Sequence, residues 1–217
     1  MEIAKFVERY PMLYHMAEEG TWPSIKAHGL LSTTAALDLF DLKGQERTSL
    51  EEQHRPEKHA IDLRGTRIVL RDQKPMHPDR LAVALIDGTK PSEWYKLLNS
   101  KVFMWAEEHR LMKLLNARGY SKLKHDVLSI DTAKFMNSYA AKVWLCHMNS
   151  GNTFPLPHRR GVEIFKRIGD YPTRRRTGGP AKEVVEVVTD YSIPDIAEFV
   201  AEVRSFRGKE FLGTIEL

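Results

Sequence analysis

Short apolar runs separated by polar turns follow one another along the chain, and their period predicts which are strands and which are helices. Strands are predicted where apolar residues alternate or form brief runs, at 12–18, 67–71, 101–107, 125–131, 142–148, 183–190 and 209–217. Helices are predicted where apolar residues recur every three or four positions, at 21–29, 91–99, 107–119 and 193–206. Because strands and helices mix without regular βαβ alternation, the pattern predicts an α+β fold with a partly antiparallel sheet flanked by short helices.

Two of the predicted helices carry terminal signals. Thr21 can cap the first, Pro23 suits its first turn, and Gly29 can end it in the left-handed conformation. Ser92 is predicted to cap the helix at 91–99. These signals place a short loop and a helix directly after the first strand.

The predicted strand at 183–190 has valines on both faces, yet Glu186 lies in its centre. Side chains alternate between the faces of a strand, so valines on both sides predict a strand that is covered on both sides. A carboxylate buried there is costly unless it is paired, protonated or faces a cleft. Glu186 is therefore either one half of a buried ion pair with an arginine or a functional carboxylate at a cleft.

Composition narrows the class of protein. The chain has 217 residues, of which 42% are hydrophobic and 29% charged, as is usual for a globular protein. It contains no run of about 18 apolar residues, which predicts no membrane-spanning helix, and its first residues lack the apolar core of a signal peptide. Its single cysteine, Cys146, excludes an intrachain disulfide and a multi-cysteine zinc site. A cytoplasmic protein is the simplest interpretation.

The positive charge is concentrated in one segment. Residues 154–182 carry eight Lys or Arg against two acidic residues, although the whole chain has a formal charge of only +4. Such a patch suits a phosphate-bearing partner, and a solvated basic loop is the equally weighted alternative. The candidate nucleic-acid contacts are its arginines Arg159, Arg160, Arg174, Arg175 and Arg176.

Several well-known catalytic motifs are absent from the sequence. There is no GxxxxGK[ST] phosphate loop, GxGxxG turn, HExxH helix or GxSxG elbow. His54 and His59 are the nearest approach to a ligand pair, but the prolines and spacing make a metal site a weak prediction. Cys146 lies in an apolar run, which favours a buried structural thiol over a nucleophile.

Other residue types point to ligand binding, each with a structural alternative. His15, predicted at a strand end, could donate to a ligand hydroxyl or be satisfied by the backbone. Arg71 and Arg55 suit a diphosphate, and an ion pair with Asp72 or Asp62 is the alternative.

Two further groups complete the candidates. Phe103 and Trp105 share one face of their strand and could form a stacking wall for a ligand or belong to the core. Asn149 and Ser150 could bind a ligand or make a turn.

Taken together, three segments resemble the ADP-ribosyltransferase superfamily, and within it the DarT-like DNA ADP-ribosyltransferases. They are "LYHMAEEGTWPSIKAHGLLS", "KVFMWAEEHRLM" and "AKEVVEVVTDYSIPDIAEFV". The start "YH…GLLS" is also similar to the RNA 2′-phosphotransferases, which share that fold and use NAD. As a whole, the chain resembles a bacterial family of unknown function with the same signatures. The sequence departs from the DarT pattern in "VFMW", which lacks its Pro and Tyr, and the segment 33–66 matches nothing in it.

The resemblance implies a single ADP-ribosyltransferase-like domain over 1–217, with NAD as substrate and no requirement for a metal. Glu186 takes the place of the catalytic glutamate, because its distance to the Ile193-Pro194 pair fits better than that of Glu183. His15 would hold the adenosine-side ribose or its phosphate, and Phe103 or Trp105 would wall the nicotinamide. Arg71 is the first choice for the diphosphate and Arg55 the second, with Asn149 and Ser150 as further candidate contacts.

The implied function is a mono-ADP-ribosyltransferase that modifies a DNA or RNA base, as a toxin or phage-defence effector with an antitoxin as a candidate partner. An RNA 2′-phosphotransferase or an NAD glycohydrolase on the same fold remains open. A non-catalytic module that binds nucleic acid through the basic segment is the alternative from a different class.

Overall fold

The computed structural model describes residues 1–63 and 66–217. Eight helices are present in these residues: α1 (Ile3–Arg9), α2 (Trp22–His28), α3 (Thr33–Leu39), α4 (Gly44–Glu52), α5 (Pro78–Ala84), α6 (Pro91–Asn99), α7 (Glu108–Leu115) and α8 (Thr132–Tyr139). The strands of the main sheet are β1 (Met12–Glu18), β5 (Lys101–Trp105), β6 (Lys124–Asp131), β7 (Val143–Cys146), β8 (Phe165–Arg167), β9 (Glu186–Asp190), β11 (Val200–Arg207) and β12 (Glu210–Ile215). Two pairs of short strands lie outside it: β2 (Leu30–Leu31) with β10 (Ser192–Ile193), and β3 (His59–Leu63) with β4 (Thr66–Leu70).

One large sheet organises the chain. Its strand order is β12-β11-β6-β1-β5-β9-β7-β8, and every pair of neighbours is antiparallel. The predicted mixture of helices with an antiparallel sheet is therefore confirmed. The sheet is antiparallel throughout because its strands are joined by hairpins or by excursions that return from the opposite end.

The sheet is nearly divided between β1 and β5. These strands share a single residue pair, Tyr14 with Trp105, whereas β1 pairs with β6 over seven residues and β5 with β9 over five. Two half-sheets, β12-β11-β6-β1 and β5-β9-β7-β8, thus meet at one point and separate on either side of it. This separation opens a cleft along the middle of the molecule.

Both faces of the sheet are covered, as the valine pattern predicts. On one face Leu13, Met104 and Val187 join the largest apolar cluster, which α1 and α8 cover. On the other face Val188 packs with residues of α5 and α6, among them Trp94. The core therefore lies in two apolar layers, one on each face of the sheet. A buried polar residue of the sheet, such as Glu186, is an exception to this pattern.

The predicted helix at 193–206 is wrong. Ile193 belongs to β10, residues 196–198 form a single 3-10 turn, and strand β11 begins at Val200 and pairs with β6 and β12. A bulge at Ala201 puts Val200 and Val203 on the same face, opposite Ile130 and Leu128 of β6. A bulge adds one residue to the period of two, so the apolar spacing of three imitates a helix.

Smaller corrections concern termini. The strand predicted at 183–190 begins at Glu186, so the carboxylate opens the strand instead of lying at its centre. His15 lies in the middle of β1 and not at its end. Ser92 lies inside α6, whose N-terminus is closed by the Glu93 carboxylate accepting from the Lys90 backbone N–H.

Thr21 precedes α2 but makes no capping hydrogen bond, because its hydroxyl donates to the carbonyl oxygen of Glu18. Two other predicted features are confirmed. Gly29 follows α2 with a φ of 82°, the positive value that its terminal position predicts. The closing strand at 209–217 is present as β12 at the edge of the sheet. In the part of the chain that the structure describes, every helix is too short or too polar to cross a membrane.

Candidate active site

A cavity of about 360 Å³ occupies the cleft between the two half-sheets. Helix α2, strand β4 and the residues after β4 form its other walls. Its volume lies within the range of small-molecule sites. All eight residues predicted to act on or bind NAD line it: His15, Arg55, Arg71, Phe103, Trp105, Asn149, Ser150 and Glu186. Residues far apart in sequence therefore meet in one place.

Glu186 lies at the floor of this cavity with only 5% of its surface exposed. It pairs with Trp105 of β5 and Cys146 of β7, so strands on both sides fix its backbone. The backbone N–H of Ser150 donates to both carboxylate oxygens at 3.2 Å. No ion pair of Glu186 with a described residue is formed. The buried ion pair offered as the alternative is thus not observed.

The protonation of Glu186 is tuned by its surroundings. Burial raises the pKa of the carboxyl to about 7, against the opposing effects of the Ser150 hydrogen bonds and the nearby Arg160 charge. A carboxyl with a pKa near neutrality changes protonation state readily at physiological pH. Perturbed pKa values of this kind in a cleft are typical of functional sites.

His15 reaches the cleft from the β1 side. Its Nδ1 lies 2.8 Å from the carbonyl oxygen of Phe103, a contact that spans the gap between the half-sheets. Burial lowers the pKa of the ring to about 4, so the imidazole is neutral at pH 7. A carbonyl only accepts hydrogen bonds, so Nδ1 carries the proton and Nε2 is an acceptor. His15 is thus prepared to accept from a ligand hydroxyl, whereas the sequence suggested that it would donate.

Arg55 and Arg71 differ sharply in what they contact. Arg55 is buried, and its guanidinium donates to the carbonyl oxygens of Arg71 and Leu50 and to the side chains of Thr33 and Asn99. Burial lowers the pKa of Arg55 to about 10. Arg55 is therefore a structural residue whose hydrogen bonds fix the backbone position of Arg71.

Arg71 has a different environment. Its guanidinium lies over the Tyr120 ring at 5.3 Å, its buried Nη1 has no hydrogen-bond partner among the described residues, and it forms no ion pair with them, Asp62 and Asp72 included. An arginine at a cavity wall without a carboxylate partner is suited to an anionic ligand. Of the two predicted diphosphate contacts, the geometry favours Arg71.

The aromatic wall is present on β5. Phe103 and Trp105 are partly buried on one face of the strand, while Val102 and Met104 are buried on the other. Both aromatic side chains line the cavity. They therefore serve the apolar core and the cavity wall together.

Two residues of the site were missed in the sequence. Tyr120 and Asp72 line the cavity beside Arg71, and the Tyr120 hydroxyl donates to the Asp72 carboxylate at 2.6 Å. Tyr120 lies in a turn after α7 with no pattern to distinguish it. The only available signal for Asp72 was its position next to Arg71.

The basic segment 154–182 is less uniform than its composition suggests. Arg159, Arg174, Arg175 and Arg176 are exposed, in agreement with an accessible basic surface. Arg160 is 1% exposed and therefore does not belong to that surface. The segment also includes strand β8, so it is not a continuous loop. Sequence composition could not separate the buried arginine from its exposed neighbour.

Other candidate chemistry finds a structural explanation. Cys146 is fully buried, and burial raises the pKa of its thiol well above the ordinary value. His54 Nε2 lies 2.9 Å from the carbonyl oxygen of Gln73. Among the described residues, no group of three or more His, Cys, Asp or Glu side chains is arranged to hold a metal ion.

Residues 11–200 match a family described as a family of unknown function (DUF7002). The match spans most of the chain, and the chain belongs to this family. It includes both half-sheets except the last strands, together with all the residues of the cavity. No curated protein matches the chain.

Proposed function

We propose that this member of the DUF7002 family is an NAD-dependent mono-ADP-ribosyltransferase with an ADP-ribosyltransferase-like fold that modifies a base of a nucleic acid. The observation that carries the proposal is the convergence of Glu186, His15, Arg71 and an aromatic wall in one cleft between two half-sheets. His15, the aromatic wall and Glu186 come from the three segments that carry the sequence resemblance, whereas Arg71 lies outside those segments.

The residues of the cleft suit the parts of NAD. The neutral His15 can accept from a ribose hydroxyl, and the Arg71 guanidinium, which has no carboxylate partner among the described residues, can bind the diphosphate. Phe103 and Trp105 offer ring faces to the nicotinamide. Arg55 supports Arg71 from behind through its backbone carbonyl. The site thus offers a candidate polar contact for a ribose and for the diphosphate, and an apolar wall for the leaving group.

Glu186 would act at the ribose that carries nicotinamide. The bond between the ribose C1′ and the nicotinamide nitrogen breaks, nicotinamide leaves with the bonding electrons, and positive charge develops on the ribose. An ionised carboxylate stabilises that charge, and it can then take the proton of the acceptor nucleophile that bonds to C1′. With a pKa of about 7, roughly half of the Glu186 carboxyls are ionised at neutral pH.

The exposed arginines of the basic segment support a nucleic acid as the acceptor of ADP-ribose. Arg159, Arg174, Arg175 and Arg176 lie in the segment that leads directly into the Glu186 strand. Cationic side chains bind the phosphate backbone without regard to sequence, and a single-stranded or flipped base presents an amine or ring nitrogen as nucleophile. Acceptor binding and catalysis are thus joined through one stretch of chain.

The proposal is tested by incubating the protein with NAD labelled in its adenosine half and with single-stranded or duplex DNA and RNA. We expect free nicotinamide together with a labelled oligonucleotide, and loss of both with Glu186→Gln. Circular dichroism and thermal unfolding verify that the variant is folded.

The competing functions give different products in the same experiment. Nicotinamide release without an adduct indicates an NAD glycohydrolase, and removal of a phosphate from 2′-phosphorylated RNA indicates a 2′-phosphotransferase. Oligonucleotide binding without NAD binding or turnover leaves only a non-catalytic module. Turnover that persists in a folded Glu186→Gln variant would show that the glutamate is misassigned.

A further inference from the structure

The turn at 149–152 is built around a buried cation. The guanidinium of Arg160 donates to the carbonyl oxygen of Ser150 at 2.8 Å, of Asn152 at 2.7 Å, of Asn149 at 3.3 Å and of His158 at 3.0 Å. Only 1% of Arg160 is exposed. A buried arginine is costly unless its donors are satisfied, and here the partners are backbone carbonyls and not a carboxylate.

This turn is the element that contacts Glu186. The carbonyl oxygens of Asn149 and Ser150 face Arg160, while the N–H of Ser150 faces the carboxylate. Ser150 is therefore bound by the Arg160 guanidinium through its carbonyl oxygen and by the Glu186 carboxylate through its N–H. Movement of the turn away from Arg160 would withdraw the hydrogen bond to Glu186.

We propose that Arg160 is a positioning residue for Glu186. By binding the carbonyls of the 149–152 turn, it holds the Ser150 N–H against both carboxylate oxygens, and it places a positive charge near a glutamate that has no ion-pair partner of its own. The inference that this serves catalysis rests on the proposed function, whereas the arrangement itself can be tested without NAD.

Few titratable groups among the described residues interact with Glu186 besides Arg160. The titratable groups that interact with Glu186 are Arg160 and the buried Cys146 thiol on the adjacent strand. The Cys146 thiol is neutral at physiological pH because burial raises its pKa well above the ordinary value. Trp105, on the other neighbouring strand, carries no charge. Among the described residues, Arg160 is thus the cation that favours the ionised form of Glu186, in addition to the hydrogen bonds from Ser150.

Two substitutions separate the effect of the Arg160 hydrogen bonds on the turn from the effect of the Arg160 charge. Arg160→Met removes both, while Arg160→Lys keeps the charge but offers a single ammonium in place of the planar fork that reaches four carbonyls. Arg118→Met, at an exposed arginine remote in sequence, is the control for an equal change in net charge. Glu186→Gln identifies the Glu186 signal by its absence.

The measurement is a carbon-13 NMR titration of the glutamate carboxyls together with hydrogen exchange at the Ser150 amide. With Arg160→Met we expect the pKa of Glu186 to rise by roughly one unit and the Ser150 amide to exchange at least tenfold faster. With Arg160→Lys we expect faster exchange with a smaller rise in pKa. Arg118→Met should change neither. If Arg160→Met does not fold, the Arg160→Lys result decides alone.

An unchanged Glu186 pKa and unchanged Ser150 exchange in a folded Arg160 variant would overturn the proposal. The role of Arg160 in catalysis is tested by the pH dependence of the rate of nicotinamide release. In Arg160→Met the apparent pKa of the acidic limb of this profile should rise by the same amount as the pKa of Glu186. If the wild-type protein does not turn over NAD, the proposed function fails. The NMR result still decides whether Arg160 positions Glu186.

Discussion

At the scale of single residues, burial gives the two central side chains their properties. Removal from water disfavours the charged form of each group, so the pKa of Glu186 rises and that of His15 falls. At pH 7 His15 is therefore neutral, and Glu186 is divided about equally between its neutral and ionised forms. A ligand with a positive centre, such as the nicotinamide ribose, would favour the ionised glutamate.

Glu186 should make the stability of the protein depend on pH. Between the ordinary value of 4.5 and the folded-state pKa of about 7, the native protein retains a proton that the unfolded chain has lost. The free energy of unfolding contributed by Glu186 therefore falls as the pH rises through this window, by roughly 3 kcal/mol. Glu186→Gln should gain stability relative to wild type over the same range.

Urea unfolding of both proteins at pH 4.5, 6 and 8 measures this difference. The loss of a carboxylate oxygen facing Ser150 adds an offset that does not vary with pH. A stability difference that stays constant from pH 4.5 to 8 would contradict a raised pKa for Glu186.

His15 should contribute to NAD binding without carrying charge. Replacing it with Ala removes the acceptor nitrogen and the contact to Phe103, so we expect the dissociation constant for NAD to rise about tenfold, equivalent to about 1.4 kcal/mol. Isothermal titration calorimetry with NAD measures the change. His109→Ala is the control, because the His109 side chain is exposed and does not line the cavity. Equal weakening by both substitutions would indicate a general loss of structure.

At the scale of elements, two of the resemblance motifs contact each other. Strand β2, from the "GLL" segment, pairs with β10, which holds Ile193, and Gly29 packs directly against Pro194. A Cβ at position 29 would lie 2.5 Å from the Pro194 Cα and 2.7 Å from the Ile193 carbonyl oxygen. Contacts between the two motifs thus connect the end of α2 to the residues that follow β9.

Gly29→Ala should therefore be strongly destabilising. Gly29 has φ 82° and ψ 177°, a region that essentially only glycine occupies, and the backbone atoms of 193–194 cannot move aside cheaply. We expect a loss of at least about 3 kcal/mol in the free energy of unfolding. Gly20→Ala is the control, since its φ is 74° but nothing lies within 4 Å of its added Cβ, so only the backbone strain of about 1 kcal/mol remains. Similar losses for both variants would mean that the contact with Pro194 contributes nothing.

The strands were largely predictable and several helices were not. Alternation with period two marked β5, and brief apolar runs marked β1 and β6. Helices α1, α3, α4, α5 and α8 were missed; each has only seven to nine residues. The predicted helices α2, α6 and α7 are equally short, so length alone does not separate the two groups. Helices of this length depend on tertiary packing more than on local preference.

At the scale of the whole molecule, the cleft and the basic surface are separate features joined by the chain. The cavity residues come from both half-sheets, whereas the exposed arginines belong to the segment that precedes β9. None of Arg159, Arg174, Arg175 and Arg176 lines the cavity. Ligand binding in the cleft and nucleic-acid binding on the surface should therefore be separable by mutation.

Replacement of Arg174, Arg175 and Arg176 by Gln should weaken single-stranded nucleic-acid binding while leaving NAD binding intact. Each lost phosphate contact lowers the slope of log affinity against log salt by about 0.7, so the triple variant should lose roughly 2 from that slope. Fluorescence anisotropy from 50 to 300 mM salt measures it.

The control for the triple variant carries Gln at the exposed cations Arg118, Lys122 and Lys209, with the same change in net charge. An equal fall in slope for both variants would show that the protein's overall charge, and not this surface, binds the nucleic acid.

The sequence by itself determined the strands around the site, the covered faces of the sheet and the oddity of Glu186, because alternation and burial preference are local properties of the chain. It could not decide which of the neighbouring arginines Arg159 and Arg160 is buried, nor that His15 accepts instead of donating. Those outcomes depend on partners far away along the chain: Arg160 on the carbonyls of the 149–152 turn, and His15 on the carbonyl of Phe103. Hydrogen-bond partners and exclusion of water arise only when the two half-sheets meet, and for that reason the tertiary structure alone decided them.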